Sequence, residues 1–225
     1  MTLPDSTLRV MAQLRGSTRP HHDEIERVPL AAALASGSVT TIQITLLHRA
    51  YLMLHEALEQ RLERATCSTI LAVWRPEQRR RDDLVADLAE LAPTLEHQHG
   101  TALLRCADSI ERTMRTASAD TSRLLGALYV LEGSRLGGAF LAPRIAAAIG
   151  LPLRYYAGHG GTTMSAWRAF GARMDAALPE ATYPQVIDGA VEMFGLLAIL
   201  MTAVWEATAI SPDARDREEA RAVAT

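Results

Sequence analysis

The chain has 225 residues, 48% of them hydrophobic and 5% aromatic, and its formal charge is −3. That length and apolar content suit one domain with a full core and exclude disorder of the whole chain. The richness in Ala, Leu and Arg favours helices over sheet, and the slightly acidic balance does not suggest a nucleic-acid partner.

Taken in order, the chain reads as a succession of helices. Asp5 and polar residues precede any apolar run, which does not resemble a signal peptide. Ser6 can cap a first helix over LRVMAQLRGSTR, with Leu8, Met11 and Leu14 on one side. Pro20 removes a backbone donor and predicts a kink or restart. A turn at Ser36-Gly37-Ser38 leads into a long helix from about Thr40 to Ala65, where Ile44, Leu47, Tyr51, Leu54 and Leu58 keep the helical period. Trp74-Arg75-Pro76 opens a helix from Glu77 to about Leu91, and its block Arg79-Arg80-Arg81-Asp82-Asp83 reads as a solvated face. Pro93 ends it, Glu96 to Gly100 reads as a loop, and another helix runs from about Thr101 to Thr116. Ser118 or Asp120 caps the next, which extends through Ile149 until Gly150-Leu151-Pro152 stops it. Arg154 to Thr163 reads as a Gly-rich aromatic loop, Ser165 caps a short helix to Ala177, and a last helix runs from Pro184 to about Ala209. Its apolar run Phe194 to Trp205 is too short to span a bilayer, so no membrane partner is expected. We expect one domain, residues 1–210, and a charged tail, 211–225. Cys67 and Cys106 show neither metal-ligand nor disulfide-framework spacing, which points to thiols and a cytoplasmic protein. Because all 23 basic residues are Arg, a bound anion has to be held by Arg, His or backbone donors.

Two stretches carry chemistry. The first is LLGALYVLEGSRLGGAFLAPRIAAAI, residues 124–149, helical in composition yet interrupted by Gly133, Gly137 and Gly138. Each glycine costs about 1 kcal/mol in a helix interior, so the three need a compensating purpose. Gly133 and Gly137 share a face, which admits either a second helix at close range or a flat ligand against the backbone. The second is Arg15, Thr18, His22 and Glu26, spaced by three and four residues and so on one helix face. A His with Glu one turn on can donate its second ring N–H to the carboxylate, which orients the imidazole as a metal ligand.

The stretch LRGSTRPHHDEIE resembles the proximal helix of the haem oxygenases. LYVLEGSRLGG resembles their distal helix in the subtype found with bacterial phytochromes, and YYAGHGGTTMSAWRAF resembles a third piece of that subtype. The resemblance spans roughly Leu8 to Trp205 and implies an all-α, single-domain, multi-helical bundle with haem between the first helix and the glycine helix. It implies His22 as the iron ligand in preference to His21, Glu26 as its acceptor, and Arg15 at a propionate, with Thr18 in the same motif. It implies Gly133, Gly137 and Gly138 as the distal glycines. It further implies opening of haem at a meso carbon to biliverdin, CO and ferrous iron, with O2, electrons from a ferredoxin or flavoprotein reductase, and a bacteriophytochrome as acceptor of the pigment. Two departures stand out. Ser134 occupies a position where some members carry Asp, and the last helix lacks the basic residues that clamp propionates elsewhere. These motivate an alternative, a haem carrier on the same fold. A di-iron site needs two Glu-x-x-His motifs, and the chain offers one, Glu96 to His99. Arg135 should point away from the haem, and His48 and His55 suit buried, hydrogen-bonded roles better than ligation.

Overall fold

The computed structural model describes residues 9–91, 95, 97–118, 120–158 and 160–209; Ser6, Glu96 and the charged tail lie outside them. Every regular element among the described residues is helical. Helix α1 spans Val10–Ile25 and continues through Pro20. The helix therefore does not restart there; Pro20, and Gly16 four positions earlier, whose carbonyl goes without a partner, both lie on the exposed side, where water can reach that carbonyl. Helix α2, Pro29–Ser36, ends at Gly37 in the left-handed conformation. Helix α3, Thr41–Arg64, starts with a capping box: Gln43 N–H donates to the Thr40 hydroxyl, and Thr40 N–H donates to Gln43 Oε1.

The region after α3 differs from the sequence reading. A short helix α4 covers Ser68–Val73, a single 3-10 turn covers Pro76–Gln78, and only then does α5 span Arg81–Glu90. The Arg/Asp block is not uniformly solvated either. Arg81 and Asp82 are exposed, but the Arg80 side chain is 4% exposed. Helix α6 covers His97–Ser118, beginning earlier than expected. Asp120, not Ser118, caps α7, accepting from Ser122 N–H at 2.7 Å, and α7 runs unbroken over Thr121–Ile149 through its glycines and Pro143. The expected aromatic loop contains a turn of helix, α8, Arg154–Ala157. Helix α9 spans Thr163–Ala177 and begins before Ser165, whose hydroxyl donates back to Thr162 O. Helix α10 covers Tyr183–Thr208.

The centre of the bundle is the pair α7 and α10, with α6 and α3 on one side and α1 and α9 on another. Both α7 and the stretch Glu180–Thr208 are long and apolar enough to cross a membrane by length and composition, so the apolar run of the last helix is longer than Phe194 to Trp205. Here that apolarity meets protein: half or more of each window is buried in the bundle. A helix surrounded by others is apolar on most faces. The two axes meet at glycines. A Cβ on Gly126 would lie 1.9 Å from Val186 O, and one on Gly189 would lie 2.1 Å from Arg123 O. The close helix crossing that glycine spacing admitted at residues 133 and 137 is therefore built at Gly126 and Gly189 instead.

A buried aspartate fastens α8 to this frame. Asp87, on α5, accepts from the backbone N–H of Arg154 at 2.8 Å and of Tyr155 at 2.9 Å, and His48 Nε2 lies 3.4 Å from its Oδ2. Burial alone would raise its pKa; His48 and the two amides outweigh that and hold the carboxyl below its ordinary value of 3.8. A carboxyl depressed in the fold stabilises it at pH values above the unfolded pKa, and that contribution is lost as pH falls through the folded pKa. Asp87→Asn should therefore cost about 2 kcal/mol at neutral pH. Urea midpoints followed from pH 7 downward check this: the gap between wild type and variant should persist to pH 3.8 and close only as pH falls further, through the depressed pKa of Asp87.

Candidate functional site

Helices α1 and α7 both lean on α10 and α9 but make little direct contact with each other. The N–H of Met11 donates to Asp175 Oδ1 at 3.1 Å and pins the start of α1 to α9. Thr18 is buried, donates to Leu14 O at 2.7 Å, and lies beside Tyr129 of α7. Burial raises the Tyr129 pKa, opposed by Thr18 and by the charge of the nearby Arg15. Thus Arg15 and Thr18 of α1 come close to Tyr129 of α7.

One turn beyond Thr18, the His22 side chain is 58% exposed. Its Nδ1 lies 3.5 Å from Glu26 Oε1, and its ring meets Phe194 of α10 edge-on, with centroids 6.0 Å apart. His21 turns to Glu24 instead, at 3.4 Å. Ligand atoms of His22, Asp23 and Glu26 lie within 4.8 Å of one another, and among the described residues this is the one such cluster of three. A lone imidazole with solvated carboxylates does not make a di-iron centre. Of the Glu96 to His99 motif, Glu96 lies outside the described residues and His99 is buried in α6.

On α7 the three glycines face three different surroundings. A Cβ on Gly133 would meet the ring edge of Trp167 at 3.5 Å; on Gly137 it would meet nothing within 4 Å; on Gly138 it would meet Tyr156 at 3.5 Å. Gly137 is therefore the open position, Gly133 lies beneath the Trp167 edge, and Gly138 is turned inward to α8. Trp167 stacks in turn on Tyr129 and Phe170, with centroids 5.5 and 5.6 Å away. Ser134 is exposed, donates to Leu131 O at 2.7 Å and lies near Tyr155. Arg135 is buried on the other side of α7, donates to the carbonyls of Glu77 and Gln78, and pairs with Glu132 at 3.1 Å. That is the inter-helix role its wheel position predicts.

Sequence reasoning passed over Tyr129, Trp167 and Phe194 as contributors to this region. Tyr129 had a signal, since it stands four residues before Gly133 and so on the same face. Trp167 lies in the stretch YYAGHGGTTMSAWRAF but had no place assigned to it, and Phe194 had no signal, because only the packing of α9 and α10 brings them to α7 and α1.

A family profile described as Heme oxygenase matches residues 8–203. The chain belongs to the haem oxygenase family. Haem oxygenases are haem-degrading enzymes, and the fold agrees with that membership. The chain is similar to the structure of the haem oxygenase from Leptospira interrogans, with 19% identity and a TM-score of 0.75 over 87% of this chain and 99% of that one. It is similar to haem oxygenase-1 of the cyanobacterium Synechocystis in complex with haem, at 16% identity and TM-score 0.71 over 96% and 98%. Haem oxygenase-2 of the same organism, in complex with haem and NO, gives 20% identity and TM-score 0.74 over 88% and 86%. No curated protein sequence matches the chain.

The open position gives a test specific to this family member. Gly137→Leu adds a side chain where the fold leaves space, so thermal stability should hold or rise by up to about 1 kcal/mol through helix propensity. Hemin affinity should fall roughly tenfold or more, equivalent to about 1.4 kcal/mol, as read by titration of the Soret band. Undiminished binding would show that haem does not approach this face.

Proposed function

We propose that this haem oxygenase opens haem at a meso carbon, giving biliverdin, CO and ferrous iron with dioxygen and electrons from a ferredoxin or flavoprotein reductase. The observation that supports this best is the α1 imidazole backed by a carboxylate, together with a stretch of α7 on which Gly137 leaves the backbone bare. Haem is the substrate and brings its own iron chemistry; the chain holds and steers it. His22 Nε2 grips the iron from α1, while Nδ1 faces Glu26, which sets the tautomer and orientation of the ring. Arg15 pairs with a propionate. Thr18 and Tyr129 keep α1 and α7 in register. Gly133 and Gly137 allow backbone to approach the macrocycle and crowd its upper side, and Ser134 offers a hydroxyl that both donates and accepts there. Gly138, against Tyr156, braces α7 from behind. A bacterial phytochrome as acceptor of the pigment and a cytoplasmic location complete the reading; they rest on the LYVLEGSRLGG resemblance and on the free thiols Cys67 and Cys106.

Adding hemin to the purified protein, then a reductant in air, tests the proposal. We expect a Soret band that decays as bile-pigment absorbance rises. A specific observation favours the carrier alternative: α10 carries no basic residue that could clamp propionates. A carrier would keep a stable reduced, oxygenated spectrum with no pigment formed.

A further inference from the structure

The C-terminal end of α1 gathers negative charge that no arginine neutralises among the described residues. Asp23 and Glu24 stand in its last turn, and Glu26 is the residue that caps it. This is the negative end of the helix dipole, where acidic side chains are disfavoured and cations are favoured. Glu24 has a partner in His21 Nδ1, at 3.4 Å. Arg19 and Arg27 stand one turn to either side of Asp23, yet neither pairs with Asp23 or Glu26. What these two carboxylates share is the imidazole of His22. Its Nδ1 lies 3.5 Å from Glu26 Oε1, and one ligand atom from each of His22, Asp23 and Glu26 falls within 4.8 Å of the other two. All three residues are exposed, so water can complete the shell of a bound ion.

We propose that His22, Asp23 and Glu26 form a site for one divalent transition cation, such as Zn2+, Co2+ or Fe2+, and that a cation held there keeps haem off His22. The donor set fixes the class of ion. One imidazole nitrogen with two carboxylate oxygens suits a first-row transition cation, whereas Mg2+ and Ca2+ take oxygen donors. Two carboxylates beside a neutral imidazole also match the charge of a divalent ion. The exclusion of haem rests on the proposed ligation of its iron by His22 Nε2; the cation site does not.

A neutral imidazole has one nitrogen with a free lone pair and one N–H. In the state ready for haem, Nδ1 holds the proton, directed toward Glu26, and Nε2 offers its lone pair. A cation between the carboxylates takes the Nδ1 lone pair instead. The ring proton then moves through water to Nε2, and none is gained or lost overall. An Nε2–H cannot ligate iron, so the tautomer of one ring decides between haem and a free cation. The proposed reaction releases ferrous iron beside this imidazole, and ferrous iron belongs to the class the site accepts. Iron that lingers on Asp23 and Glu26 therefore delays the next haem, which makes the site a point of product inhibition.

Calorimetric titration of the full chain without haem, using zinc chloride, tests the cation site whether or not the protein binds hemin. We expect one ion per chain and no competition from Mg2+. Asp23→Asn should weaken zinc binding by more than about tenfold, since losing a ligand exceeds the cost of losing its support. Nitrogen-15 spectra should show the His22 proton moving from Nδ1 to Nε2 as zinc is added. Soret titration then tests the exclusion. With Zn2+ at about ten times its own Kd, the apparent hemin Kd of the wild type should rise about tenfold, because only the cation-free fraction binds. In Asp23→Asn, at the same zinc concentration, it should stay near the zinc-free value. No zinc binding, zinc binding untouched by Asp23→Asn, or Mg2+ binding as tight as Zn2+ overturns the site. Zinc binding with unchanged hemin affinity overturns the exclusion. If hemin does not bind even without zinc, the proposed function fails and the exclusion with it, while the calorimetry still decides the site.

Discussion

Gly126→Ala should be among the most damaging single-methyl changes in this protein. A helix interior normally welcomes that substitution, by about 1 kcal/mol. Here the new methyl would sit 1.9 Å from Val186 O and 2.8 Å from Ala190 N. Both are backbone atoms, which cannot turn aside as a side chain can. Either α7 or α10 has to move, yet each is held on several sides, and Arg123 pairs with Asp188 at 2.8 Å and Glu192 at 2.6 Å beside the crossing. Overpacking of this kind costs about 3 kcal/mol or more, out of a total stability of roughly 5–15 kcal/mol. Gly189→Ala meets the same obstacle from α10, at 2.1 Å from Arg123 O. Gly195→Ala, on the same helix with nothing within 4 Å of the added methyl, should be neutral or stabilising by up to about 1 kcal/mol. Thermal or urea unfolding of the three variants decides the matter. Equal stability of Gly126→Ala and Gly195→Ala would mean that the helices do not cross at this distance.

His22→Ala should have the opposite profile, a large functional loss with little change in stability. The side chain is more than half exposed and meets Glu26 and the edge of Phe194, so unfolding should move by less than about 0.5 kcal/mol. The axial ligand, however, would be gone. Loss of a residue that merely orients a ligand costs about 10- to 100-fold, and loss of the ligand itself should exceed that, lowering turnover by roughly 100-fold or more. Glu26→Gln should lie between, at about tenfold. His21→Ala should leave the spectrum as it was, since His21 turns to Glu24. Added imidazole should restore the ligation band in His22→Ala. A ferric spectrum indifferent to His22→Ala and altered by His21→Ala would reassign the ligand.

How legible the protein was depended on the distance along the chain over which each feature is encoded. The long helices, the Asp120 cap (offered beside Ser118) and the His22–Glu26 pair are all set by residues within four positions of one another. Spacing alone exposes them. Elsewhere local rules misled for physical reasons. Pro20 reads as a break, yet α1 continues through it on its exposed side. Arg80 reads as solvated because charge runs usually are, yet it is buried by Tyr155, 75 residues later in the chain. The aromatic stretch after Arg154 reads as a loop from its glycines, but Asp87 of α5 caps a helical turn there.

Composition, helical period and the short motifs of α1 and α7 were enough by themselves to determine an all-α bundle of this family and to single out His22 and the glycine helix. Only the tertiary structure decided what each glycine is for. Gly126 and Gly189 admit another helix, Gly133 admits an indole, Gly138 a tyrosine, and Gly137 alone of the helix's later glycines stays open. A missing side chain looks the same in the sequence whatever fills its place, and the filler comes from a helix tens of residues away.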